Sequence, residues 1–129
     1  MTIKEVSEKY DISQDTLRYY ERVGLIPAVS RTSGGIRNYD DEALGWVENA
    51  ICMRSAGVPI EALIEYVKLF QEGDSTIQAR LELLQEQLAG LEEQKVHIES
   101  TMKRLNYKIS CYEKAVKTGK LVWDNCEEK

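Results

Sequence analysis

A chain of 129 residues with 43% hydrophobic and 30% charged residues, 8 Gly and only 2 Pro reads as soluble and globular. It contains no run of 18 apolar residues, so no membrane span is expected, and its start, Met1-Thr2-Ile3-Lys4-Glu5-Val6, lacks a charged-then-apolar signal pattern, which points to the cytoplasm. A net charge of −5 disfavours indiscriminate nucleic-acid binding, yet residues 1–39 carry six basic against five acidic side chains, with four Arg between positions 18 and 37.

The first element is an amphipathic turn opened by Ile3 and Val6 and running to about Tyr10. Asp11-Ile12-Ser13 breaks it, and Ser13 is placed to cap a second helix through Asp15, Thr16, Leu17 and Tyr20 that stops at Gly24. Two short helices about a tight turn form the helix-turn-helix pattern. Residues 28–38 are rich in Ser, Gly and Arg, and Ser33-Gly34-Gly35 predicts the turn of a β-hairpin wing. Asp40-Asp41-Glu42 then starts a third helix, with Leu44, Val47 and Ile51 at helical spacing up to Gly57. Pro59 opens a fourth, whose Ile60, Leu63, Ile64, Val67 and Phe70 share a face, and Gly73 ends it.

The remainder is dominated by one long helix. Ile77, Leu81, Leu84, Leu88, Leu91, Ile98, Met102, Leu105, Ile109, Tyr112 and Val116 recur in alternating steps of four and three, with Lys95 at the single skipped position. Such a heptad predicts a coiled coil, in which one polar core residue commonly fixes register. From Thr76 to Val116 the helix would extend about 61 Å at ~1.5 Å per residue. A head of this size offers nothing that long to cover the stripe, so a second chain is expected along Leu81, Leu84, Leu88, Leu91, Lys95, Ile98, Met102, Leu105 and Ile109. Residues 72–99 carry seven acidic and two basic side chains, whereas residues 100–120 carry one acidic and six basic. Two copies packed antiparallel set each acidic half against a basic one, which predicts an antiparallel homodimer. The expected fold is therefore mainly α. A winged helix-turn-helix DNA-binding head (1–73) precedes a dimeric coiled-coil helix (74–118) and a short tail (119–129).

Thr16-Leu17-Arg18-Tyr19-Tyr20-Glu21-Arg22-Val23-Gly24-Leu25-Ile26-Pro27, followed by a wing running from Arg31 through Gly35-Ile36-Arg37-Asn38-Tyr39-Asp40, resembles the recognition helix and wing of the MerR family of transcription regulators. The resemblance covers nearly the whole chain, with Ile36 standing where the family usually has an aromatic. It implies that Thr16, Arg18 and Tyr19 address the major groove and that Arg31 and Arg37 hold the backbone phosphates from the wing, with Tyr39 counted among the DNA-binding residues as the brace of the wing, roles their chemistry suits. It also implies a pseudo-palindromic promoter operator, double-stranded DNA distorted between promoter elements, and RNA polymerase as a partner. The plainer alternatives are that Leu17 and Tyr20 are core and that Tyr19 only packs the wing. No carboxylate pair, nucleophile–base set or phosphate-cradling loop argues for an enzyme, and no cofactor is called for.

Three Cys, an odd number without close pairs, fit reduced thiols better than a disulfide framework. Cys111 falls on an outer heptad position and Cys126 in the tail, and neither makes a paired metal motif, so no metal site is expected. A metal sensor built on these two, and a coiled-coil adaptor that binds no DNA, remain the competing readings. His97, also on an outer position, is expected to be solvated. Cys52-Met53-Arg54-Ser55-Ala56-Gly57, continuing to Gly73-Asp74, resembles the aldehyde-responsive branch of the family, which implies that Cys52 senses electrophiles. On a helical wheel Cys52 lies about 100° from the Leu44/Val47/Ile51 face, a boundary position open both to a packed small hydrophobe and to a reachable thiol.

Overall fold

The computed structural model describes residues 1–123. The chain forms α1 (Ile3–Tyr10), α2 (Gln14–Val23), α3 (Asp41–Ser55), α4 (Ile60–Glu72), a 3-10 turn (Asp74–Thr76) and α5 (Ile77–Thr118). It divides into two compact units, residues 1–87 and residues from 88 onward. No helix among the described residues is long and apolar enough to cross a membrane.

Local capping chemistry sets the boundaries in the first unit. The Thr2 hydroxyl accepts from the Glu5 amide at 3.1 Å while the Thr2 amide donates to the Glu5 carboxylate at 2.8 Å, a reciprocal box at the start of α1. Asp11 ends α1 in the left-handed region, at φ 53°. Ser13 then caps α2, accepting from the Thr16 amide at 3.0 Å. Gly24 ends α2 at φ 89°, a conformation that costs a side-chain-bearing residue strain. Asp40 caps α3, accepting from the Ala43 amide. Pro59, expected as the first residue of α4, is its extended N-cap instead, and α4 starts at Ile60.

The head's core is a small cluster contributed by every element. Val6, Leu17, Val47 and Ala50 are buried with Leu25, Ile26 and Val29 of the segment after α2, and Val58, Leu63 and Val67 complete it. The helix-turn-helix turn is tied by the Ser7 hydroxyl donating to the Ile12 carbonyl at 2.6 Å. Tyr10 donates to the Glu48 carboxylate at 2.7 Å, linking α1 to α3. Burial, then that hydrogen bond and the Glu48 charge, push the Tyr10 hydroxyl up to about 12. After α4 the Thr76 hydroxyl donates to the Leu69 carbonyl at 2.6 Å, and Arg80 donates to the Gly73 carbonyl at 3.0 Å, so the turn into α5 is held by side chains.

The wing is a minimal hairpin: a single antiparallel bridge pairs Arg31 with Arg37, and the residues between them close a tight turn through Thr32 and Gly35. A further expectation is corrected. In the second unit Cys111 is fully buried, not at an outer, solvent-facing position. The chain after Gly119 brings Trp123 against Tyr107 and Tyr112, with ring centroids at 6.1 and 5.9 Å, and the Tyr107 hydroxyl donates to the Trp123 carbonyl. That cover closes over the Cys111 face of the helix.

Candidate nucleic-acid interface

The solvent side of α2 is set by its own periodicity. Leu17 and Tyr20 turn inward, at 0% and 8% exposure, as the core alternative held. Arg18 and Arg22 are exposed, and Thr16 and Tyr19 are half-buried beside them. Arg18 is pre-positioned by Asp15 at 2.9 Å and by Gln14 at 3.3 Å. With its side chain 43% exposed and Asp15 almost wholly so, this pair is weak and can be exchanged for a stronger acceptor. Arg22, not singled out by the sequence, lies over the Tyr19 ring at 5.4 Å and braces it.

The wing is strapped to α2 by one carboxylate. Glu21 accepts from Arg37 Nε at 2.7 Å and from the Val29 amide at 2.8 Å. Burial alone would raise the Glu21 carboxyl; the Arg37 and Val29 hydrogen bonds and the charges of Arg37 and Arg31 outweigh it and hold the group below its ordinary value. Across the turn the Thr32 amide donates to the Ile36 carbonyl at 2.8 Å, and Arg31 donates to the Gly35 carbonyl at 3.2 Å. Gly35 sits at φ 83°, which a wing tip of this shape requires, and Ile36 projects outward, 62% exposed.

Tyr39 departs from expectation. It is 1% exposed, one of the largest fully buried side chains, and so does not share the surface offered by Thr16, Arg18, Tyr19, Arg31 and Arg37. Its backbone is clamped to the chain start, the Tyr39 amide donating to the Met1 carbonyl at 2.7 Å, and this turns the ring inward. The hydroxyl has no hydrogen-bond partner among the described residues. Burial raises it above its ordinary value, and the charges it feels in turn are those of Arg37, Glu21, Arg18 and Arg31. What ties the wing to α2 is the Glu21–Arg37 pair, with Arg18 and Arg31 exposed on either element.

Elsewhere, Cys52 is a free thiol and exposed, more open than the boundary position expected. Leu81, Leu84, Leu88, Ile98, Met102, Leu105 and Ile109 are each between 47% and 58% exposed, Leu91 is half-buried, and Lys95 and His97 are exposed. No group of His, Cys, Asp and Glu able to hold a metal occurs among the described residues. Cys126, half of the metal-sensor alternative, lies outside them.

A family profile described as MerR HTH family regulatory protein matches residues 1–69. The HTH-type transcriptional regulator AdhR of Bacillus subtilis is 55% identical over 84 residues, 65% of this chain, and the match spans 60% of that relative's length. An HTH-type transcriptional regulator of Haemophilus influenzae is 31% identical across 92% of this chain and 87% of its own. Among solved structures, a MerR family regulator from Listeria monocytogenes superposes with a TM-score of 0.87 at 43% identity, covering 92% of this chain and 90% of that one. HiNmlR, a MerR family regulator lacking the sensor domain and solved bound to promoter DNA, superposes at 0.84 with 31% identity, covering 92% and 94%. These relatives are regulators rather than enzymes, and the chain belongs to the MerR family of helix-turn-helix transcriptional regulators.

Proposed function

We propose that this chain binds promoter DNA as an antiparallel homodimer and controls transcription by RNA polymerase in response to an electrophile that reacts with Cys52. The observation that carries the DNA reading is the wing strapped to α2 through Glu21 and Arg37, with Arg18 and Arg31 exposed beside that strap in an otherwise acidic protein. Arg18 and Tyr19, with Thr16 at the helix start, reach the groove edges; Arg31 and Arg37 take phosphates. HiNmlR, alike in fold over nearly the whole chain, was solved with promoter DNA, which supports the same use here. The half-exposed α5 stripe, through Leu81 to Ile109 with Lys95 at its centre, is the surface a second copy covers, placing two heads on a pseudo-palindromic operator.

Thiol sensing is supported by Cys52 being free and exposed. The metal alternative would have to rest on Cys111, which is fully buried. Two measurements test the proposal. Arg18→Ala is expected to weaken binding to the promoter upstream of this chain's own reading frame by about 1–3 kcal/mol while leaving the dimer intact; unchanged, salt-insensitive binding would instead favour a protein-binding adaptor. In run-off transcription from that promoter, formaldehyde or methylglyoxal is expected to induce with the wild type and not with Cys52→Ser, DNA binding being retained. Equal responses would remove Cys52 from the signal.

A further inference from the structure

The first unit carries an open cavity of about 490 Å³ between α3, α4 and the first turns of α5. Its wall is aromatic: Trp46 meets Phe70 edge-on with centroids at 5.1 Å and Tyr66 at 6.0 Å. Gly45 and Ala62 line it from α3 and α4 with little or no side chain, and a Cβ built on Gly45 meets nothing within 4 Å. Arg80 lies over the Phe70 ring at 5.2 Å, and Leu83, Leu84 and Gln87 form the lip on α5. Phe70 and Leu84 are both exposed, so the single chain leaves apolar surface here to solvent.

The second unit carries a surface that matches it. Trp123 packs on Tyr107 and Tyr112, its carbonyl lying 3.9 Å from the Cys111 sulfur, yet Trp123 is still 44% exposed, and Leu121 and Val122 beside it are exposed as well. Residues 114–123 hold three Lys and no acidic residue, whereas the one charged residue lining the cavity is Glu42. Heptad phase brings the two surfaces to one flank. With Leu81 at a, Leu83 falls at c, Leu84 at d and Gln87 at g, so the lip of the cavity is the g flank of the stripe. Tyr107, Cys111 and Tyr112 fall at f, c and d, the arc bordering that same g flank. In an antiparallel pair the twofold axis is perpendicular to the helices, which keeps the g flanks of both copies on one side. The register that sets Leu84 beside Ile109 then places residues 106–110 of one copy level with residues 83–87 of the other. We infer that the cavity seats the tail of a second copy, with that copy's Trp123 against the Trp46 and Tyr66 rings. An indole suits an aromatic wall with one wet edge, and the tail's lysines meet the one carboxylate of the lining. The seat exists only in the antiparallel dimer proposed above, where each copy both gives a tail and receives one.

The test is the full chain carrying Trp123→p-benzoylphenylalanine. Isotope-labelled and unlabelled copies are mixed and refolded together, so that mass spectrometry separates photocrosslinks between copies from those within one. Links between copies are expected from position 123 to the segments holding Trp46 or Tyr66. A companion sample with the crosslinker at position 84 reports on the dimer itself. If position 84 links to Ile109 while position 123 links only within its own chain, or to no part of the other copy's α3 and α4, the seat is overturned and the dimer stands. If position 84 links only to the Leu84 segment, or to no second copy, both fall. Dimer strength gives an independent reading. Trp123→Ala and Gly45→Phe, the latter filling the cavity from a position with open space, should each weaken dimerisation about tenfold in sedimentation. The double variant should be no weaker than either alone, because both remove the same contact. Losses that multiply, or no loss in either variant, overturn the proposal.

Discussion

Glu21 decides whether the wing and the recognition helix act together. Its carboxylate is the common acceptor for Arg37 and for the Val29 amide, and both side chains of the ion pair are largely buried, at 22% and 12% exposure. Such a pair is worth more than an exposed one, and removing its acceptor charge leaves Arg37 without its partner. Because the folded-state carboxyl lies below the usual 4.5, its stabilisation is fully present above that value and is lost as pH falls through the lower folded value. The Val29 amide resonance is therefore expected to titrate below pH 4.5 in an NMR pH series. In Glu21→Gln that transition should vanish, with a stability loss of about 1–2 kcal/mol at pH 7 and weaker operator binding. A Val29 amide that titrates at the ordinary glutamate value would sink this account. Glu21 stood inside the recognized motif, but nothing in its spacing from Val29 or Arg37 marked it as a strap. Its partners are eight and sixteen residues away, and only folding brings them to it.

At the scale of elements, what was legible in the sequence is what is local. Ser13, Asp40, Gly24 and Gly73 set helix ends through hydrogen bonds or dihedral angles spanning a few residues, and the helices begin and end beside them. The heptad of α5 was legible for the same reason, since its period is visible without knowledge of any partner. Tyr39 and Cys111 were misplaced because their burial depends on distant covers, the chain start for one and Trp123 for the other. The cavity was equally invisible, as Gly45 and Ala62 sit on different helices. Lys95 is the element-scale feature open to test. It interrupts an otherwise apolar stripe and is exposed in the single chain, so in a dimer it is solvated only at the expense of a close seam. Lys95→Leu is expected to stabilise the dimer by about 1–2 kcal/mol per protomer, from the apolar area newly covered, while loosening register. Sedimentation across a urea series reads the first effect. An unchanged dissociation midpoint would mean that position 95 lies outside the seam.

For the whole molecule, charge and register together predict how two copies meet in the proposed dimer. The chain is acidic overall, yet four Arg cluster between residues 18 and 37 and six of its 17 Lys and Arg between residues 100 and 120. In the proposed DNA-binding role the first cluster takes the phosphates while the acidic remainder repels DNA, which would favour operator over bulk DNA. The second is complementary to the acidic residues 72–99 only when the helices run in opposite directions. The apolar stripe spans Ile77 to Val116, so folding it onto itself antiparallel places its midpoint between Val96 and His97 and sets Leu84 beside Ile109 of the other copy. Parallel packing would instead set each Leu84 against its own equivalent and stack acid on acid. Replacing Leu84 with the photocrosslinker p-benzoylphenylalanine distinguishes the two, because carbonyl insertion reaches only side chains in direct contact. After irradiation, mass spectrometry is expected to find the covalent partner in the peptide containing Ile109. The crosslinking yield should fall at high salt, as the charge complementarity is screened over about 8–10 Å at physiological ionic strength and far less beyond it. Crosslinks confined to the Leu84 peptide itself would establish a parallel pair, and the two recognition helices would then emerge from the same end of the coil, a geometry that calls for a different operator.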